Sequence, residues 1–324
     1  MKYIVQMPDI KSMWSEQWNR WIDEYALTHG DIEVRGTSIP IIVNGSDFND
    51  MRQYYSYFFK TMSGIIEDVR GGDEIYFVEG ESAGIEALEY LRKMEGLNLN
   101  IKMYFHGGSY LSNDTVTVRG VNAEYFEKGW FSIADIIYVG SNYHKRIIVK
   151  ERGADPEKIK VIGIPIDLKE AKDGRNEDKL IDILYAGRLN DEKGYDVVKQ
   201  LRAEGYTIVC SKENNWSKEV YYRMLRRSRV LLSPAKTETL GISVMEALAN
   251  NIPVVVPDGL GYTDYVPKRM RYKTNDEMKE KLNYFIQNKS KDELRRFVTK
   301  YDKEKVLESC HQRKFVYITY GSFV

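Results

Sequence analysis

Two pairs of charged residues in the C-terminal half of the chain have the types and spacing to bind an anionic, hydroxyl-rich ligand. Arg188 and Lys193 lie five residues apart in ILYAGRLNDEKGYDVV, which has the pattern of a buried strand followed by Gly187 and a turn. Glu238 and Glu246 lie eight residues apart in SPAKTETLGISVMEALANNIPVVVPDG, which has the pattern of strand, turn, helix and strand.

The two cations follow a strand, at the edge of a parallel sheet where ligands bind. An arginine grips phosphate oxygens with a planar fork, and a lysine adds a point charge. Taken by themselves, Arg188 and Lys193 are explained equally well as solvated surface cations.

The two glutamates lie at the turn and inside the predicted helix of the second segment. Glu246 has apolar neighbours on its predicted helix, so a partly buried carboxylate there needs hydrogen-bond donors, which a vicinal sugar diol supplies. Gly241 lets a ligand approach the backbone, and the free N–H groups of the helix start favour an anion. Either glutamate alone is better explained as a surface ion pair or a helix-capping residue.

The elements that position these residues are predicted from short apolar runs alternating with amphipathic stretches. The runs KYIVQM, EIYFVEG, IKMYFHGG, DIIYVGS and KVIGIP come first, and DILYAGR, YTIVCSK, RVLLSPA and IPVVVPD follow after a polar segment. Continuous apolar strands separated by helices indicate parallel sheets covered on both faces. The sequence therefore predicts an α/β protein with two doubly wound, Rossmann-like domains that face a central cleft.

The predicted domain limits follow from the polar segment Asp167–Lys179. They are an N-terminal domain over 1–166, a C-terminal domain over 167–300, and a final segment over 301–324. Residues 1–166 carry 18 basic against 24 acidic side chains, and residues 167–324 carry 30 against 24. This asymmetry favours an anionic ligand held by the C-terminal half, and it disfavours a nucleic-acid partner for the N-terminal half.

Composition narrows the class of protein further. No apolar run approaches the roughly 18 residues of a membrane helix, and the first ten residues lack the pattern of a signal peptide. Two cysteines and four histidines show no disulfide framework and no zinc-ligand spacing. We therefore expect a cytoplasmic protein without a bound metal; the sequence does not indicate its oligomeric state.

Two aromatic-rich stretches are interpreted as structural. Trp14, Trp18, Trp21 and Tyr25 recur at helical spacing, which favours a helix that packs on a sheet. The run Tyr54–Phe59, YYSYFF, is predicted to lie in the core or at an interface, because aromatic side chains supply large buried areas.

Together the motifs YAGRLNDEKGYDVV and ETLGISVMEALANNIPVVV resemble the retaining glycosyltransferases of the GT-B fold, of the large GT4 type. The second motif contains the Glu-x7-Glu pattern of that family. In the N-terminal half, MYFHGG and the segment Ala134–Asp167 also resemble the family. The resemblance is best over Ala134–Asp258, and the two motifs in this order are more specific than either one.

The resemblance implies a role for each matching residue. Arg188 and Lys193 would bind the donor diphosphate and stabilise it as it leaves. Glu246 would bind the nucleotide ribose, Glu238 would lie near the transferred sugar, and His106 would lie close to the sugar and acceptor. Contacts to sugar and phosphate would come from Gly187, Thr239, Leu240 and Gly241.

The implied reaction transfers a sugar from a UDP- or GDP-linked donor, with retention of configuration and without a catalytic metal. The acceptor is not identified by the sequence, and we expect a glycan, small molecule or protein rather than DNA. A DNA-base glycosyltransferase of viral type, a nucleotide-sugar epimerase and a non-catalytic nucleotide-sugar binder are the alternatives. The segment VQMPDIKSMW lacks the Gly-Gly loop of many relatives, and ETLG replaces their Glu-Gly-Phe-Gly, so the acceptor side is expected to differ.

Overall fold

The computed structural model describes residues 1–8, 13–36, 51–112, 117, 123–290 and 293–311. Within these ranges the chain forms two parallel sheets with flanking helices. The first sheet has six strands in the order β2-β1-β3-β4-β5-β6. They are β1 Lys2–Val5, β2 Ile32–Arg35, β3 Glu74–Phe77, β4 Asn100–Phe105, β5 Ile136–Val139 and β6 Ile159–Val161.

The second sheet has five strands in the order β11-β10-β9-β7-β8. They are β7 Ile181–Tyr185, β8 Ile208–Cys210, β9 Ser228–Leu232, β10 Val254–Pro257 and β11 Arg271–Tyr272. All their pairings are parallel, with Ile183 opposite Val230 and Val254 opposite Leu231. The predicted α/β class with two parallel-sheet domains is confirmed.

Helices flank the strands of both sheets. Their bounds are α1 Met13–Leu27, α2 Met51–Asp68, α3 Glu86–Met94, α4 Glu124–Ile133, α5 Asn142–Arg152, α6 Tyr195–Ala203, α7 Lys218–Arg226, α8 Ile242–Ala249, α9 Asn275–Gln287 and α10 Lys303–His311. Helix α8 is the most deeply placed around the site, since most of its side chains are buried.

The two aromatic stretches lie on helices. Trp18 and Trp21 of α1 are buried in the larger core, and the Trp18 ring meets Tyr104 of β4 edge to face at 5.1 Å. On α2, Tyr57 and Phe58 are buried. Both stretches therefore contribute to packing, as the spacing of α1 predicts.

The chain passes between the two sheets twice, and the two passages lie side by side. Ile166 pairs with Asp302, and Lys303 Nζ lies 2.9 Å from Asp167 Oδ2. The larger hydrophobic core includes residues of both sheets. The two sheets are therefore joined at this side of the cleft by paired backbone, an ion pair and shared apolar packing.

After the second passage α10 packs on the N-terminal sheet. Lys102 Nζ of β4 and Tyr138 Oη of β5 each donate to the Cys310 carbonyl at 3.2 Å. Lys102 is buried and is neutralised by Glu74 Oε2 at 2.8 Å. A cation at the carboxyl end of a helix is favoured by the helix dipole, so this contact fixes α10 to the sheet. Residues 312–324 of the predicted final segment lie outside the described residues.

The composition predicts no membrane-spanning helix and no disulfide framework. Of the helices in the described ranges, none is both long enough and apolar enough to cross a bilayer. Cys210 and Cys310 are free thiols, and both are buried. Burial raises the pKa of the Cys210 thiol to about 11, so it is not a reactive thiolate at neutral pH.

Candidate functional site

The candidate site lies where the carboxyl ends of the two sheets face each other. β4 ends at Phe105, and the carbonyl of the next residue, His106, accepts a hydrogen bond from Thr239 Oγ1 at 3.0 Å. Ser141 Oγ, at the start of α5, donates to the Thr239 carbonyl. Thr239 is thus held from the N-terminal domain through its hydroxyl and its carbonyl.

Arg188 is positioned by a turn that packs back on its own strand. Tyr185, the last residue of β7, donates its hydroxyl to the carbonyls of Arg188 at 2.5 Å and Lys193 at 3.2 Å. A Cβ at Gly187 would lie only 2.6 Å from that hydroxyl, so glycine permits the close approach. The segment after β7 is therefore shaped before any ligand binds.

The two cations share one carboxylate that the sequence analysis did not assign. Arg188 Nη2 donates to both carboxylate oxygens of Glu192, at 2.8 and 2.9 Å. Lys193 Nζ lies 3.1 Å from Glu192 Oε1 and 3.2 Å from Glu238 Oε2, and it also donates to the Thr237 carbonyl at 3.1 Å. The four charged side chains alternate in sign along one continuous chain of contacts.

Burial and neighbouring charges shift the pKa of Lys193 in opposite directions. Burial lowers the pKa of its ammonium, but Glu238 and Glu192 beside it more than offset burial, so the pKa lies above its ordinary value. Lys193 therefore remains a cation at neutral pH. Gly194 closes its turn with φ of 74°, and a Cβ there would overlap the Pro234 carbonyl oxygen, so only glycine fits.

Two glycines shape the turn from Glu238 to α8, Gly241 within it and Gly261 packed against it. Gly241 has φ of 91°, in the left-handed region, immediately before the first residue of α8. A Cβ at Gly261 would overlap the Thr239 carbonyl oxygen, so the loop after β10 packs directly on this turn. Leu240 is fully buried, and its carbonyl accepts a hydrogen bond from Tyr265 Oη. The side chain of Leu240 thus packs in the protein, and a ligand can meet Leu240 only through its backbone.

Glu246 lies in the second turn of α8 and is held by two neighbouring tyrosines of α7. Tyr222 Oη donates to Glu246 Oε1 at 2.7 Å, and Tyr221 Oη donates to Glu246 Oε2 at 3.0 Å. Burial raises the pKa of Glu246, and the two hydroxyls only partly offset it. Two hydroxyl groups on two carboxylate oxygens is the arrangement that a ribose diol would make.

His106 is a neutral side chain at the domain interface. Burial lowers the pKa of its imidazole to about 3. Nε2 lies 2.8 Å from the Val78 carbonyl oxygen, which can only accept, so Nε2 carries the proton and donates. The ring packs edge to face on Trp18 at 5.0 Å. His106 at neutral pH is therefore a fixed dipole and not a cation.

The structure brings most of the predicted residues together at one edge. Arg188, Lys193 and Glu238 form one contact group, and Thr239 joins the C-terminal turn to His106. Glu246 lies further along α8, in a second group with the tyrosines of α7. The predicted loop after β1 falls partly on residues 9–12, which lie outside the described residues.

Sequence reasoning missed Glu192 and the tyrosine pair. Glu192 follows Arg188 by four residues inside the quoted motif, and this spacing is a signal that was available. Tyr221 and Tyr222 carry no comparable signal, because they reach Glu246 only after α7 and α8 pack side by side. Among the residues that the structure describes, no three His, Cys, Asp or Glu side chains converge as a metal-binding group.

The fold is that of a GT-B protein. Two parallel-sheet domains face each other, and the predicted Arg-Lys and Glu-x7-Glu motifs lie on adjacent elements of the C-terminal one. Residues 211–305 match the family model of the glycosyl transferases group 1. The predicted resemblance to glycosyltransferases is therefore confirmed by the family model, and the predicted GT-B fold is confirmed by the structure.

Solved structures similar to this chain include several GT-B glycosyltransferases. A lipopolysaccharide outer core galactosyltransferase, WaaB, is 14% identical with a TM-score of 0.65, over 95% of this chain and 97% of that one. A sucrose-phosphate synthase from Thermosynechococcus elongatus is 12% identical with a TM-score of 0.66, over 95% and 94%. HepE from Anabaena, solved with UDP and glucose, is 12% identical with a TM-score of 0.64, over 95% and 97%. No curated protein matches the sequence.

Proposed function

We propose that the chain is a retaining glycosyltransferase that moves a sugar from a nucleoside-diphospho-sugar to a hydroxyl acceptor without a catalytic metal. One observation carries the proposal. Arg188 and Lys193 lie together with Glu238 at the carboxyl end of β7, beside the turn that starts α8. Two cations next to a helix start suit a diphosphate, and the carboxylate beside them suits the hydroxyls of a sugar.

Each end of the donor would meet a different group. Arg188 and Lys193 bind the diphosphate, and Glu246 accepts the ribose hydroxyls. Glu238 lies near the transferred sugar. The remaining contacts come from backbone N–H groups. Gly187 supplies them in the first motif, and the turn Thr239, Leu240 and Gly241 supplies them in the second.

In the transfer step the bond between the anomeric carbon and the phosphate oxygen breaks, and its electron pair leaves with the diphosphate. The acceptor oxygen forms the new bond on the same face of the sugar, and its proton passes to the departing phosphate oxygen. Arg188 and Lys193 stabilise the negative charge that develops on that diphosphate. The His106 backbone and ring border the acceptor side as fixed dipoles.

The donor is proposed to be a UDP- or GDP-sugar. HepE has been solved in complex with UDP-glucose, which supports the UDP form. The acceptor is proposed to be a glycan, small molecule or protein, because the N-terminal half carries more acidic than basic residues. A cytoplasmic location remains a prediction.

The test is a thermal-shift and hydrolysis screen against UDP-, GDP-, ADP- and TDP-sugars. We expect one nucleotide class to raise Tm and to release its nucleoside diphosphate. A protein that binds none of these donors contradicts the proposal. Anomeric NMR of the product then checks retention, and EDTA is expected to leave the rate unchanged. A complete loss of rate that metal restores contradicts the metal-free reaction.

A further inference from the structure

Glu192 occupies the place on Arg188 that a diphosphate needs. Its two carboxylate oxygens both accept from Nη2 of Arg188, at 2.8 and 2.9 Å. A guanidinium makes a two-point grip either through Nη1 and Nη2 or through Nε and Nη2, so both possible grips include Nη2. A bidentate contact between Arg188 and phosphate therefore uses the nitrogen that Glu192 already holds, and the two anions compete for it.

The backbone holds Glu192 in this position. The residue is the middle one of the 3-10 turn Asp191–Lys193, which Asn190 caps by accepting from the Lys193 N–H at 3.2 Å. The Glu192 carbonyl accepts from the Lys236 N–H at 2.9 Å. Only 10% of the Glu192 side chain is exposed, against 34% for Arg188. The cation has more freedom to move than the carboxylate, so the carboxylate stays near any bound phosphate.

The charges around the two cations are already balanced. Arg188 and Lys193 supply two positive charges, and Glu192 and Glu238 supply two negative ones. A diphosphate that enters this group meets cations that are each paired, beside carboxylates that repel it. An ion pair at a partly exposed site contributes little and exchanges readily, so phosphate can replace the carboxylate on Arg188.

We propose that Glu192 competes with the diphosphate for Arg188 Nη2 and thereby weakens the hold of the site on the nucleoside diphosphate that leaves. Glu192 is then a positioning residue that sets how easily the product departs. The inference rests on the proposed function, because it assumes that the site takes a nucleoside diphosphate.

The test substitutes the carboxylate and measures binding by calorimetry with UDP, GDP and inorganic pyrophosphate as the probes. In Glu192→Gln the amide oxygen still accepts from Arg188, but the negative charge is gone. We expect the variant to bind each probe more tightly, with a Kd about three- to tenfold lower than that of the wild type. The reason is that a neutral acceptor competes for Arg188 less well than a charged one. The inhibition constant of the nucleoside diphosphate should fall by the same factor.

The matched control is Asp191→Asn, which removes the same charge from the exposed neighbouring residue. We expect its Kd to stay within about twofold of the wild type, because an exposed charge is screened. In an Arg188→Ala background the tightening by Glu192→Gln should disappear, since the competition needs Arg188. Melting curves of each variant check that it is folded.

The outcomes separate this inference from the proposed function. If the wild type binds UDP or GDP and Glu192→Gln binds it equally or more weakly, the inference is wrong and Glu192 is a structural support. The inference is also wrong if Asp191→Asn tightens binding as much, or if the effect persists without Arg188. If the wild type binds none of the three probes, the proposed function and the inference both fail.

Discussion

The two ends of the candidate donor site hold their key side chains by different means. At the diphosphate end, Arg188 and Lys193 are held by carboxylates, so the group is a chain of alternating full charges. At the ribose end, Glu246 is held by two neutral hydroxyls, from Tyr221 and Tyr222. Both ends thus already contact a protein group of the chemical kind that the donor would bring.

The difference predicts how each end responds to a ligand. In the proposed site, phosphate would replace a carboxylate at the diphosphate end, so binding there would depend on charge and would be weakened by salt. At the ribose end, a sugar hydroxyl joins or replaces a tyrosine hydroxyl, and the charge of the site does not change. The diphosphate end should therefore control the rate of transfer and product release, and the ribose end should control affinity for the nucleoside.

The largest expected effect comes from removing a cation at the diphosphate end. Arg188→Ala and Lys193→Ala should each reduce kcat/KM by about 10²- to 10³-fold, because each removes a preorganised charge that would face the leaving diphosphate in the proposed reaction. Steady-state kinetics with saturating acceptor measures the loss, and thermal melts check folding. Arg229→Ala is the control, since Arg229 pairs with Asp182 on the same sheet away from the site. Unchanged turnover in either site variant contradicts the assigned role.

The next largest effect should come from the ribose end. Glu246→Ala should weaken binding of the nucleoside diphosphate by about tenfold or more, since it removes a charged hydrogen-bond acceptor. Tyr222→Phe removes one hydroxyl from the carboxylate and should weaken binding by about threefold or less. Calorimetry gives both values. Tyr284→Phe, at a tyrosine that is 60% exposed on α9, is the control and should leave Kd unchanged. Equal affinity in Glu246→Ala excludes the ribose role.

The class of fold could be predicted from the sequence because the central strands are buried on both faces. All four residues of β3 are buried, and most of β7 and β9 are too, so these strands appear as continuous apolar runs. The edge strands β2 and β11 were missed. β2 is only partly buried throughout and reads IEVR, and β11 has two residues, so neither has an apolar pattern to recognise.

The site could be predicted only as far as its motifs reach. The residue types and spacing predict Arg188, Lys193, Glu238 and Glu246 as candidates, because each pair lies within a short segment. Their partners are decided by tertiary packing. Tyr222 lies 24 residues before Glu246, and no local pattern connects the two. The deep burial of Leu240 is likewise a result of tertiary packing, which local composition does not specify.

Salt should affect ligand binding at the two ends of the site differently in the wild-type protein. Between about 50 and 500 mM salt, the Kd for UDP should rise several-fold, because the phosphate contacts are charge pairs and the Debye length falls below about 5 Å. The Kd for uridine, which lacks phosphates, should stay nearly constant. Calorimetry over a salt series measures both. If the two ligands respond alike, the division of the site into a charged end and a neutral end is wrong.

The smallest effect concerns the stability contributed by Glu246. Burial raises its pKa above the ordinary value, so on a rise in pH the unfolded chain loses this proton before the folded protein does. The contribution of Glu246 is therefore fully present below the ordinary glutamate pKa and is lost as pH rises through the folded pKa. The Gln side chain of the Glu246→Gln variant does not titrate, so the variant lacks this contribution. The buried histidines are present in both the wild type and the variant, so their effect on stability cancels in the difference.

The measured quantity is the Tm of the wild type minus the Tm of Glu246→Gln at each pH. We expect this difference to fall by about 1 to 3 °C between pH 4 and pH 7.5, given the Tm change per unit of free energy in a chain of this size. Glu280→Gln, on an exposed part of α9, should show no such trend. A difference that instead grows with pH means that the hydroxyls of Tyr221 and Tyr222 outweigh burial. The ribose end would then already stabilise a full negative charge in the absence of a ligand.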